Sequence, residues 1–168
     1  MLSIVLMAVL ASCERSEQTA NSSGSQGRVD QAAAADQRPL EQVSEFDGYT
    51  LRANVTRTEF LPEAMASRYG IQAEPDRVLL NVVVLENRPD RQPGPVLAEV
   101  SAQYQNQIGQ AEVIDIRAAE ADGYVSYIGT LDTSAQRVFQ LVIEAQPADT
   151  DARLRMDFEV QLDTLGIE

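Results

Sequence analysis

Arg153-Leu154-Arg155-Met156-Asp157-Phe158-Glu159-Val160-Gln161-Leu162 alternates apolar and charged or polar side chains. Successive side chains of a strand point to opposite faces, so this stretch predicts a half-buried strand: Leu154, Met156, Phe158, Val160 and Leu162 inward, Arg155, Asp157, Glu159 and Gln161 outward. The same period of two recurs upstream. Leu51, Ala53 and Val55 alternate with Arg52, Asn54 and Thr56, and Val138 to Ala145 sets Phe139, Leu141, Ile143 and Ala145 on one face. Val78 to Leu85 is apolar on both parities except at Asn81, as a central strand would be. Val96 to Gln105 and Gln110 to Arg117 read as strands joined by a turn at Asn106-Gln107-Ile108-Gly109, and Tyr124 to Leu131 follows the turn Ala121-Asp122-Gly123. One short helix is expected after the first strand, opened by Pro62 and Glu63 and stopped by Gly70. About seven short strands with turn signals between them predict an all-β fold, an antiparallel immunoglobulin-like β-sandwich, with a closed barrel as the other arrangement.

The remainder of the chain divides around that domain, assigned to residues 46–168. Leu10-Ala11-Ser12-Cys13 follows an apolar run that begins at Leu2 and resembles the lipobox of bacterial lipoproteins. The run is far shorter than the roughly 20 residues that span a bilayer, so residues 1–12 read as a processed lipoprotein signal peptide. No Lys or Arg precedes the run, and a start further upstream would supply that charge. The resemblance implies that Cys13 is the lipidation site and the membrane anchor. As the sole cysteine it forms no disulfide within the chain. Glu14 stands where an Asp would favour the inner membrane, which directs the expectation to the outer membrane, facing the periplasm. Residues 13–45 are polar and small, with Pro39 breaking any helix from Ala32 to Ala35, and read as a flexible linker. Such a tether has an r.m.s. span of about 30 Å.

Composition narrows the functional classes. The formal charge is -13, from 26 acidic residues against 13 basic ones, and every basic residue is Arg. An acidic surface repels nucleic acid and anionic headgroups, so neither is an expected partner. Solubility with a codon bias toward Arg, or adaptation to salt, would each account for the acidity.

The ordered set Phe60-Leu61-Pro62, Tyr69-Gly70-Ile71 and Leu80-Asn81-Val82-Val83-Val84-Leu85 resembles the bacterial domain-of-unknown-function family 4426. Asn106, Gly109-Gln110, Ile116-Arg117 and Tyr124-Val125-Ser126-Tyr127-Ile128 continue the resemblance, which covers about Phe46 to Leu162. It implies an exported single domain with an immunoglobulin-like sandwich and brings no activity with it. After Ile71 the chain departs from the pattern: Gln72-Ala73-Glu74-Pro75-Asp76-Arg77 carries one basic residue where several are expected.

With no His and its one Cys assigned to acylation, the chain lacks the commonest general base, metal ligand and thiol nucleophile. No catalytic residue, metal site or cofactor is therefore assigned. Asp149-Thr150-Asp151 and Glu120-Ala121-Asp122-Gly123 are oxygen-rich turns without the ligand spacing of a calcium loop. The candidate ligand-binding residues are Asn81, polar within an apolar strand, Arg117 at a strand end, and Tyr124 and Tyr127 shortly after it. Internal hydrogen bonding of Asn81 and Arg117 is the competing account. The sequence points to a lipid-anchored, non-enzymatic module that binds an envelope protein or cell-wall polymer. A carboxylate-dependent hydrolase of cell-wall glycan is the alternative, and it requires two acids about 5–9.5 Å apart across a cleft.

Overall fold

The computed structural model describes residues 39–121, 123–148 and 150–165. Cys13, the signal peptide and the linker up to residue 38 lie outside them. Two antiparallel sheets pack face to face. The first runs β1 (Leu40–Phe46), β2 (Tyr49–Arg57), β3 (Arg77–Glu86), β8 (Tyr124–Asp132) and β7 (Arg117–Ala121), with the two-residue β4 (Gly94–Pro95) beside β3. The second runs β10 (Leu154–Gln161), β9 (Val138–Pro147), β5 (Ala98–Asn106) and β6 (Ala111–Ile114). One α-helix, α1 (Glu63–Tyr69), joins β2 to β3. The fold is the expected all-β sandwich.

The core is built by the inward parities. Leu51, Ala53 and Val55 meet Leu141, Ile143, Met156 and Val160 across the sandwich, and Phe139 is buried to 1%. As its double apolar parity predicts, β3 is central, flanked by β2 and β8. Helix α1 ends as expected at Gly70, whose φ of 62° is the left-handed conformation that glycine adopts without a Cβ clash. The following loop is pinned by Thr58, which is fully buried. Its hydroxyl donates to Glu74 O and accepts from Glu74 N, both at 3.0 Å. Thr133 pins the same loop through Asp76 O.

Three expectations are corrected. Leu40 to Glu45, read as linker, form most of β1 and pair with β2 throughout. Their inward parity places polar Gln42 and Ser44 between Leu40 and Phe46, which hid the strand's alternation. The single strand expected at Gln110 to Arg117 is two strands in different sheets. The chain leaves β6 at Ile114, crosses the sandwich at Asp115-Ile116 and enters the opposite sheet as β7. Phe158 has the predicted parity but is half-buried, whereas Leu154, Met156 and Val160 on the same face of the edge strand β10 are buried.

The crossing is possible because β8 carries Gly129 beneath it. A Cβ there would lie 2.7 Å from Ile114 Cγ2, 2.8 Å from Asp115 O and 2.8 Å from Ile116 Cδ1. Backbone cannot yield as a flexible side chain would, so Gly129→Ala is expected to cost roughly 1–3 kcal/mol in denaturant unfolding, as overpacking does. Phe139→Ala is expected to cost about 3–5 kcal/mol. Phe158→Ala should cost distinctly less than Phe139→Ala, and Glu159→Ala about 0.5 kcal/mol or less. Equal losses at Phe158 and Phe139 would contradict the half-burial of Phe158.

Candidate functional site

Cross-strand partners share a sheet face, and the register draws two of the sequence candidates into one row. Asn54, Asn81, Ile128 and Arg117 stand side by side across β2, β3, β8 and β7, on the face turned away from the core. Ile128 is nonetheless buried to 1%. The Arg117 guanidinium donates to Tyr69 O at the C-terminal end of α1, where carbonyls lack helical partners. Asn81 keeps a buried Oδ1 without a hydrogen-bond partner.

The two tyrosines do not join them. Tyr127 has the opposite parity: its ring lies in the core and its hydroxyl accepts from Ala98 N at 2.6 Å, tying the two sheets together. Tyr124 stands at the far end of β8, opposite Ala121 and 54% exposed. The four candidates therefore divide into a structural row, a core clamp and an exposed ring. Among the described residues no cluster of three acids, His or Cys could hold a metal ion. Asp122 and Asp149 of the two oxygen-rich turns lie outside the description.

Two other regions offer concave surface. On the outer face of the second sheet, a groove of about 490 Å³ is lined by Glu99, Ser101, Glu144, Gln146, Arg153 and Arg155. Arg155 ties its centre, donating to Glu144 at 2.6 Å and to Asp157 at 2.8 Å, and its hydrogen bonds to both push its pKa up. These residues reach one surface only through pairing of β5, β9 and β10, and their outward parity alone does not single them out.

The second region is one end of the sandwich. Leu40 enters at the opposite end, beside Val55, while the turn at Asp47-Gly48, the β3–β5 connection, the β7–β8 turn and the β9–β10 loop gather here. Leu97, 59% exposed, stands between two clefts at this end. One, of about 410 Å³, is lined by Pro95, Glu120, Ala121 and Tyr124; the other, of about 430 Å³, by Tyr49, Glu86, Val96 and Pro147. The backbone around Leu97 is fixed by Val96 N to Val84 O at 3.0 Å, Ala148 N to Leu97 O at 2.7 Å, and the Ala98–Tyr127 bond. Leu97 was expected within a strand but not as a surface feature.

These elements define a two-sheet, all-β domain with one short helix and no helix long and apolar enough to cross a membrane among the described residues. The chain belongs to the family described as domain of unknown function DUF4426, whose model matches residues 43–163. It is similar to a DUF4426 family protein from Pseudomonas aeruginosa PAO1, with 21% identity over 72% of this chain and 93% of that one, at a TM-score of 0.61. It is also similar in fold to FetP of uropathogenic Escherichia coli. A FetP structure from protein expressed in the periplasm matches with 12% identity over 79% of this chain and 98% of that one, at a TM-score of 0.54. A copper-bound FetP variant matches with 11% identity over 74% and 96%, at 0.52. No curated protein matches the sequence.

A titratable group reports on the β5–β6 edge. Tyr104 is buried, and that desolvation, with its hydroxyl donating to Glu112 Oε2 at 2.6 Å, pushes its pKa up to about 12. The folded-state value lies above the ordinary tyrosine value of 10.0, so the contribution to stability is present below pH 10 and is lost as pH rises through 12. Alkaline titration should show a phenolate transition near pH 12 that is absent from Tyr104→Phe. The variant should also lose stability less steeply between pH 10 and 12. An unchanged titration in Tyr104→Phe would disprove the assignment.

Proposed function

We propose that this chain is a lipid-anchored, non-enzymatic binding module of the cell envelope, held through Cys13 to the outer membrane and facing the periplasm. The observation that carries the reading is the opposition of its two ends. The tethered segment joins the domain at Leu40, and the exposed apolar residues Leu97 and Tyr124 stand at the other end. A domain hung from one end presents the other outward, where a protein or polymer of the envelope would meet it. The likeness to FetP, expressed in the periplasm, supports the same compartment.

FetP's copper does not accompany the likeness. Copper favours imidazole and thioether ligands, whereas this chain has no His, and among the described residues Met156 is buried in the core while Met65 is exposed on α1.

One observation favours hydrolysis of cell-wall glycan as a second reading: Glu99 and Glu144 line the same groove. Glu99 stands opposite Gln146 and Glu144 opposite Ser101, so the two acids are diagonal neighbours on adjacent strands. Glycosidase carboxylates flank the scissile bond from two sides, and one of them must hold a proton. Here both acids rise from one sheet face and Glu144 is engaged by Arg155, an arrangement that suits binding better than bond cleavage.

Cys13→Ser is expected to abolish incorporation of labelled fatty acid and to release the protein from the membrane fraction or leave it unprocessed. Retention of the variant in the membrane with normal maturation would overturn the anchor. The purified full chain is expected to release no sugar from peptidoglycan at neutral pH. Turnover that disappears in Glu99→Gln or Glu144→Gln would establish the hydrolase instead.

A further inference from the structure

We propose that the end of the sandwich around Leu97 is a docking surface for an extended segment of another envelope protein, one carrying a bulky apolar side chain beside Lys or Arg. The inference rests on the reading of the chain as a binding module and specifies what that module takes.

The apolar part follows from Leu97. Along β5 and the residues before it, Val96, Ala98 and Val100 pack against the core, so alternation turns Leu97 outward with Glu99 and Ser101. A leucine on that parity contributes little to the core, yet its backbone is held on both sides: Val96 N bonds Val84 O, Leu97 O accepts from Ala148 N, and Ala98 N bonds the Tyr127 hydroxyl. An apolar side chain presented on fixed backbone loses little conformational freedom on binding, which is the advantage of a preorganised anchor. Tyr124, with its amphipathic ring 54% exposed on the wall of the adjoining cleft, is a residue type enriched where partners bind.

The basic part follows from charge. The charged residues lining the two clefts are Glu86 and Glu120, and no Arg lines either cleft among the described residues. Glu86 is paired with Arg88 at 2.8 Å, whereas Glu120 has no ion-pair partner among the described residues. A Lys or Arg beside the docked apolar residue would meet Glu120. The same charges disfavour a second copy of this chain, which would bring like-charged clefts together on a protein of net charge -13. The tether is a poor occupant as well, since residues 14–38 offer Val29 as their sole bulky apolar side chain.

The test is selection of a phage-displayed library of random dodecapeptides on the full chain, with affinities of the enriched peptides measured for wild type, Leu97→Asp, Tyr124→Ser and Glu120→Arg. Leu97 and Tyr124 are exposed, so all variants should keep the wild-type melting temperature; Leu97→Ser replaces Leu97→Asp if the latter unfolds. Enriched peptides should share an apolar residue next to Lys or Arg. They should lose about tenfold or more in affinity for Leu97→Asp and Glu120→Arg, and weaken as salt rises. Enrichment no greater than on an unrelated acidic protein, or peptides that bind Leu97→Asp as well as wild type, would overturn the proposal. Self-association in sedimentation that Leu97→Asp abolishes would also overturn it, by assigning the surface to a second copy. Binding of isolated peptidoglycan that Leu97→Asp leaves intact would sink this docking surface while leaving the binding-module reading standing.

Discussion

Two backbones meet at Gly129, and the topology depends on that contact. β8 runs through the first sheet with no side chain at this position, and the chain that leaves β6 passes over it, with Asp115 O 2.8 Å from where a Cβ would be. Closer approach than ordinary packing allows is what glycine uniquely permits in a strand. The crossing moves the chain from the second sheet to the first, so that β7 can return as the partner of β8. That return places Ala121 and Tyr124 at the end of the sandwich farthest from Leu40. A bulkier residue at position 129 would meet Ile114, Asp115 and Ile116 and so displace the crossover that leads into β7.

Where one face is buried and the other wet, the strands were legible, because alternation is then written into the residues themselves. β9 and β10 show it most fully: Phe139, Leu141, Ile143 and Val160 are inward and buried, while Glu144, Asp157 and Glu159 are outward. β1 was illegible because its inward positions include Gln42 and Ser44, tolerated at a sheet edge where water reaches the strand. The break at Asp115-Ile116 was hidden for another reason. Ile114 and Ile116 keep the parity of one strand, and only the tertiary requirement to cross over Gly129 separates them. Local pattern cannot carry information that lies in a contact between residues of two different strands.

The candidate site was less legible than the fold. Asn81 and Arg117 attracted notice as polar residues in apolar company, and the register does bring them into one row. Arg117 is accounted for by the carbonyl of Tyr69, which leaves that row mainly structural. Tyr127 is accounted for by the core and by Ala98 N. Leu97 carried the inverse signal, an apolar residue on a polar parity, and it was readable from Val96, Ala98 and Val100 on the buried one. Reading strands for inward residues finds the core; reading the same strands for misplaced outward ones finds surface that the core does not require.

Electrostatics and geometry act together at the exposed end. A minority of the chain's acids stand in ion pairs among the described residues, such as Arg137 with Asp163 and Arg155 with Glu144 and Asp157. Exposed pairs of this kind contribute about 0–1 kcal/mol each and so do little to hold the fold. Acids without partners matter more for encounter than for stability, because the field of a strongly negative domain draws cationic segments toward it over the Debye length, about 8 Å at physiological salt. Such steering is unspecific by itself, since it would hold a basic segment against any part of the surface. Specificity requires a place where attraction coincides with apolar surface on rigid backbone. At the Leu97 end, Glu120 lines the same cleft as a leucine whose main chain is bound on both flanks, the coincidence that the proposed docking surface requires.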